Sequence, residues 1–231
     1  MHEILKDKSV IFFDIGNTLD YPASGDWMFT KKFIGLAGEK RLMSLAPEQL
    51  NKAYMAGVDY LLKNHQIRDE AEEEAQFARF YGIVSEALGL GLTEEELQSA
   101  ARDRTYNMDN YRLYPDARTV LERLSLTHRI GVISDTWPSV ENQLRSLGIR
   151  QFISFATYSF AVGAFKPDPR MYRDALAKAG CLAEKTVFID DSPRNLEGAA
   201  ALGITPILIA ADPAYDPEVP FLKIHALSEL L

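Results

Sequence analysis

The stretch Val10-Ile11-Phe12-Phe13-Asp14-Ile15-Gly16-Asn17-Thr18-Leu19 decides the fold. Four consecutive apolar residues without alternation fit a strand covered on both faces of a parallel sheet. The block ends on a carboxylate, Asp14. The arrangement recurs further along the chain. Ile130-Gly131-Val132-Ile133 ends at Ser134-Asp135, and Val187-Phe188-Ile189 ends at Asp190-Asp191. Residues 152–156 and 206–209 supply two more apolar blocks.

Helical patterns separate these strands. Ala117, Val120, Leu121 and Leu124 recur at i, i+3, i+4 and i+7. Val140, Leu144 and Leu147 follow, with Pro138 before them and Gly148 after, the usual proline–glycine asymmetry of a helix. Asp168-Pro169 reads as an N-cap and first helical residue ahead of Met171, Tyr172, Ala175, Leu176 and Ala179. Ser192-Pro193 opens another helix, and Gly203 closes it. From about residue 112 the chain alternates strand and helix, which signals an α/β domain with a parallel sheet.

Residues 27–106 read differently. Leu50, Ala53, Tyr54, Met55, Val58, Leu61 and Leu62 form one helical stripe; Phe77, Phe80, Tyr81, Val84, Ala87 and Leu88 form another. Glu94-Glu95-Glu96 suits the first turn of a third helix. The spacing predicts a bundle of about four helices, inserted after the first strand. The acidic run 69–74 reads as a solvated helix face. Trp27, Phe29 and Phe33 lie where the chain enters this bundle.

Composition narrows the function. The 231 residues are 47% hydrophobic and 25% charged, as in an ordinary globular protein. A formal net charge of −8 disfavours a nucleic-acid partner. No apolar run approaches the roughly 20 residues needed to span a bilayer, and the charged stretch from Met1 to Asp7 is unlike a signal peptide. The single cysteine, Cys181, excludes an internal disulfide and fits a reducing compartment, so a cytoplasmic location is expected. His2, His65, His128 and His225 have no ligand spacing.

In open parallel sheets, ligands bind beyond the carboxyl ends of strands, where the strand order reverses. Asp14, Ser134-Asp135 and Asp190-Asp191 all stand at such ends. Carboxylates converging there would raise one another's pKa values unless a cation joined them. An all-oxygen site of this kind suits Mg²⁺. Lys166, in Gly163-Ala164-Phe165-Lys166-Pro167-Asp168-Pro169, is biased toward extended backbone by Pro167. Its ammonium can pair with these carboxylates and with an anionic substrate.

These segments resemble the four motifs of the haloacid dehalogenase superfamily of phosphatases and related hydrolases. Asp14-Ile15-Gly16-Asn17-Thr18 resembles the first, Asp-x-Asp-Gly-Thr. Ser134 matches the second, Lys166-Pro167-Asp168-Pro169 the third, and Asp190-Asp191 with Ser192, Asn195 and Gly198 the fourth. The resemblance implies a Rossmann-like sheet of order 3-2-1-4-5 with helices on both faces, plus an inserted α-helical cap. It divides the chain into an α/β catalytic core at 1–20 and 112–231 and a cap at 21–111. It also implies roles. Asp14 is the nucleophile that forms an aspartyl-phosphate; Thr18 and Ser134 hydrogen-bond the carboxylate or the phosphoryl group, and Lys166 stabilises both. Asp14, the Gly16 carbonyl, Asp190 and Asp191 hold Mg²⁺. The substrate would be a small phosphorylated molecule.

One position departs from the pattern. Family phosphatases carry a second Asp two residues after the nucleophile, which protonates the leaving group; here it is Gly16. General acid–base catalysis is typically worth about 10²–10⁴-fold. Its loss predicts slow alkyl-phosphate hydrolysis and better performance on aryl or acyl phosphates. Asp20 and Asp135 are candidates to replace the acid. Three alternatives stay open: a dehalogenase, although those lack the paired aspartates; a phosphonate-cleaving enzyme using Lys52 or Lys63; and a non-catalytic binding or regulatory protein.

Overall fold

The computed structural model describes residues 2–212 and 215–231. Met1, the first residue of the charged N-terminal stretch, lies outside them. The chain divides into two compact units: one of Met1–Tyr21, Leu113–Thr136 and Leu144–Leu231, the other of Pro22–Arg112 and Trp137–Gln143.

The first unit is built on a parallel sheet of β1 (Val10–Phe13), β4 (Arg129–Ser134), β5 (Ile153–Tyr158), β6 (Thr186–Asp190), β7 (Thr205–Ile209) and β8 (Leu222–Ile224). The order is β5-β4-β1-β6-β7-β8, and every pairing is parallel. The five strands expected from the apolar blocks stand in the order 3-2-1-4-5. The sixth, β8, corrects that order by extending the edge. Its Leu222-Lys223-Ile224 is too short and too polar to stand out as an apolar block.

All four β1 residues are buried, as a sheet covered on both faces requires. On one face Val10, Phe12, Phe188 and Leu208 form a core with α9 (Pro169–Ala179) and α10 (Pro193–Ala200), through Met171, Tyr172, Ala175, Leu196 and Ala199. A helix at Ala117–Ser125, α6, packs against β4. The expected caps are present on α9: the Asp168 side chain accepts from Arg170 N, and Gly180 ends the helix in the left-handed region. On α10 the Ser192 side chain makes no capping bond, and the helix ends at Ala200 rather than at Gly203.

The helical unit contains α1 (Lys31–Ala37), α2 (Glu39–Met43), α3 (Pro47–Lys63), α4 (Glu70–Ala87) and α5 (Glu94–Tyr106). Five helices replace the four expected because Gly38, at φ +83°, breaks the first in two. The aromatic stripe is the core: Phe33 stacks on Tyr81 at 4.5 Å, and Phe29, Phe77 and Phe80 surround them. Met55 and Leu62 of the first stripe are instead about half exposed. Two short strands, β2 (Asp20–Pro22) and β3 (Tyr111–Leu113), pair where the chain leaves and re-enters the α/β unit.

The acidic run needs a correction. Asp69 caps α4, but Glu73 is wholly buried. Its carboxylate accepts from Ser139 N and Oγ, both at 2.7 Å, and Arg104 Nη1 lies 3.8 Å away. Trp137 Nε1 donates to Gln76 at 2.7 Å. These bonds explain why Trp137–Gln143 groups with the helices rather than with the strand that precedes it.

Candidate active site

Strand register brings the acidic residues together. Phe13 sits opposite Ile189 of β6 and Val132 of β4. The next step of each strand therefore sets Asp14 level with Asp190, and Ser134 lies one residue further along β4. The Asp14 amide continues the ladder by donating to Ile189 O at 2.9 Å. Asp14, Asp190 and Asp191 each offer an oxygen within 4.8 Å of the others.

Lys166 joins the group from the loop before α9. Its Nζ lies 2.7 Å from Asp14 Oδ1 and 2.8 Å from Asp190 Oδ2, with the ammonium over the Phe188 ring. The Lys166–Pro167 peptide is cis. Asp135 Oδ1 accepts from Lys166 N at 3.0 Å, so Asp135 orients this loop. Gly198 permits the loop's approach: a Cβ there would come within 2.6 Å of Pro167 Cβ.

After Asp14 the chain turns tightly. Asn17 adopts φ +58°, its amide nitrogen donates to Asp20 O at 2.7 Å, and Leu19 N donates to Ile15 O at 2.7 Å. The Asn17 side chain thereby reaches Asp191, with Nδ2 donating to Oδ2 at 3.2 Å. Gly16 forms a bridge with Asp20. Thr18 is wholly buried and its hydroxyl makes no hydrogen bond among the described residues, Asp14 included.

The electrostatics follow from burial. Burial pushes Asp190 up to about 6 and Asp191 to about 7, with the Asp14 charge adding to both. Burial pushes Asp135 up to about 6 as well. For Lys166, burial lowers the pKa, but the charges of Asp14, Asp190 and Asp135 outweigh it, and the ammonium is held well above its usual range. Four carboxylates thus share one cation.

That excess tests whether a metal fits. Asp190 is already engaged, by Lys166, by Ser192 N at 2.8 Å and by Asn195 Nδ2 at 3.1 Å. Among the described residues, Asp191 has the Asn17 amide as its one hydrogen-bond partner. An all-oxygen donor set with unneutralised charge suits a hard divalent cation such as Mg²⁺. Asn195 and Asn17 are the site residues to which sequence reasoning gave no role. A polar residue in the first turn of the helix after Asp190 was the available signal for Asn195. Lys63 pairs with Asp59 on its own helix at 2.6 Å, and Lys52 is exposed.

Carboxylates and a lysine thus gather beyond the carboxyl ends of the strands of a parallel α/β sheet, where such sheets bind ligands. The haloacid dehalogenase-like hydrolase profile matches residues 8–203, and the chain belongs to that family. A phosphatase of Mycobacterium tuberculosis is 30% identical over 132 residues, covering 54% of this chain and 61% of that protein. A glyceraldehyde 3-phosphate phosphatase of Methanothermobacter thermautotrophicus is 27% identical over 209 residues, covering 87% and 85%. The 2-haloacid dehalogenase of Pseudomonas syringae pv. Tomato DC3000 superposes with a TM-score of 0.64 at 23% identity, covering 96% of each chain. That last likeness concerns the fold. No helix among the described residues is long and apolar enough to cross a membrane.

Proposed function

We propose that this hydrolase is a Mg²⁺-dependent phosphatase acting on a small phosphorylated substrate through an aspartyl-phosphate at Asp14. The observation that carries the reading is the cluster of Asp14, Asp190 and Asp191 around Lys166. Asp14 attacks phosphorus and expels the leaving group; water then hydrolyses the acyl phosphate, splitting one hard displacement into two easier ones. Lys166, 2.7 Å from Asp14 Oδ1, orients the nucleophile and balances charge on the phosphoryl oxygens. Asp190, fixed by Ser192 N and Asn195, positions Lys166. Asp14, Asp191 and the Gly16 carbonyl would hold Mg²⁺, with Asp190 beside them. The ion, when bound, neutralises phosphate charge during transfer. Thr18 and Ser134 are the hydroxyls for the phosphoryl group. The helical unit acts as the cap, and a cytoplasmic location accompanies the reading because Cys181 is a free thiol.

Gly16 offers no proton, so the preferred substrates have leaving groups stable as anions, such as aryl and acyl phosphates. The paired aspartates favour this chemistry over carbon–halogen cleavage. The test is hydrolysis of acetyl phosphate and phenyl phosphate with and without Mg²⁺, beside Asp14→Asn. Activity is expected only with Mg²⁺ and intact Asp14. Activity that ignores the metal, or survives the substitution, overturns the reading.

A further inference from the structure

Beside Asp191 the α/β unit carries a cleft of about 300 Å³, within the lower range of small-ligand sites. Asn17, Tyr114, Asp191, Ile209, Ala211 and Tyr215 line it. Two of these, Asn17 and Asp191, form the hydrogen-bonded pair at the edge of the acidic cluster. Asp212 adds a second carboxylate, and the rest of the described wall is apolar and aromatic. Tyr114 is fixed to the nucleophile's own turn: its amide nitrogen donates to Leu19 O at 3.0 Å. The Tyr21 ring packs against it with centroids 5.1 Å apart. Tyr215, 46% exposed, adds a second tyrosine to the lining with part of its surface in water. Ile209 and Ala211 continue into an adjoining hollow with Pro115 and Leu227. No residue of this wall has a part in the chemistry proposed above except Asn17 and Asp191.

We propose that this cleft binds the leaving group of the substrate, and that the leaving group is an uncharged or cationic aromatic ring. The inference rests on the phosphatase reading and names its substrate class. Asp14 and Asp191 offer oxygens within 4.8 Å of each other and Asp191 lines the cleft, so the ester substituent of a phosphoryl group at Asp14 lies within reach of it. Tyr114 and Tyr215 offer ring faces and edges, which favour an aromatic partner over an alkyl one. No Lys or Arg stands among the described lining residues, so the cleft offers an anionic substituent no side-chain cation to pair with. An aryl leaving group is also the kind that departs without the acid missing at Gly16, so cleft and nucleophile loop select the same substrate.

Equilibrium binding of non-hydrolysable phosphonates tests this, by calorimetry in the presence of Mg²⁺. Phenylphosphonate is expected to bind roughly threefold to tenfold more tightly than methylphosphonate, the range that aromatic pairing supplies. 4-Carboxyphenylphosphonate should lose that advantage. In Tyr114→Ala the phenyl-to-methyl ratio should fall toward one, and Tyr114→Phe should keep most of it. Tyr215→Ala, on an exposed side chain, gives the same readout if Tyr114→Ala does not fold. Methylphosphonate binding without a phenyl preference overturns the leaving-group site alone, as does a preference untouched by both alanine variants. Failure of all three phosphonates to bind overturns the phosphatase reading and this inference with it.

Discussion

Lys166 Nζ lies 2.7 Å from Asp14 Oδ1, although 152 residues separate the two in sequence. Both are almost fully buried. The pair sets a buried positive charge against Asp14 beside three further carboxylates, Asp135, Asp190 and Asp191, whose pKa values burial has raised. Lys166→Ala should lower kcat on acetyl phosphate by about 10²–10³-fold, the usual cost of losing one stabilising donor at a transition state. A variant with near-normal kcat would show that Lys166 serves only packing.

Gly16→Asp should restore a proton donor. Alkyl phosphates are expected to gain more than aryl phosphates, by up to about 10²-fold in kcat/KM ratio, since only the poor leaving group needs the proton. An unchanged ratio would mean that another residue already supplies the acid. Asp20 and Asp135, the latter with Oδ1 accepting from Lys166 N, are the residues to substitute next in that case.

Stability should depend on pH in a direction set by the acidic cluster. Asp135 and Asp190 titrate near 6 and Asp191 near 7 in the fold, against about 4 in an unfolded chain. Between those values the metal-free fold holds more protons than the unfolded chain, so stability falls as pH rises. His65, lowered to about 4 by burial, acts in the opposite direction below about 6.5, one group against three. In EDTA the Tm is therefore expected to fall from pH 6 to pH 8, and Mg²⁺ should raise it at pH 8. A Tm that rises across that interval, or ignores Mg²⁺, contradicts this account.

Gly198→Ala places a methyl group 2.6 Å from Pro167 Cβ and 3.1 Å from the Tyr172 ring. Overpacking of this kind costs about 1–3 kcal/mol. The displaced Pro167 carries Lys166 with it, so activity should drop more than the remaining folded fraction explains. Urea denaturation and kcat on one preparation separate the two effects.

Glu73→Ala leaves Arg104 buried without its carboxylate and Ser139 without its acceptor. Breaking a buried pair from one side costs about 3–5 kcal/mol. A shift in unfolding midpoint corresponding to less than 1 kcal/mol would show that Arg104 is satisfied by Trp27 O and Tyr111 alone.

Local pattern was enough for the strands. Uninterrupted apolar blocks ending in Asp14, Ser134 and Asp190-Asp191, with helix-starting Asp168-Pro169 and Ser192-Pro193 between them, determined the parallel α/β sheet, and the motif order determined the family. Those signals are local because burial on both faces and helix capping act on neighbouring residues. Tertiary structure decided the rest. The register of β1 against β6 set Asp14 level with Asp190. Through-space approach gave Asp190 the partner Lys166, and Asp191 the partner Asn17. The inward turn of Glu73 in an acidic run, the edge strand β8 and the cleft beside Tyr114 belong to the same class. Each depends on which distant residue arrives opposite, a fact that neither spacing nor composition carries.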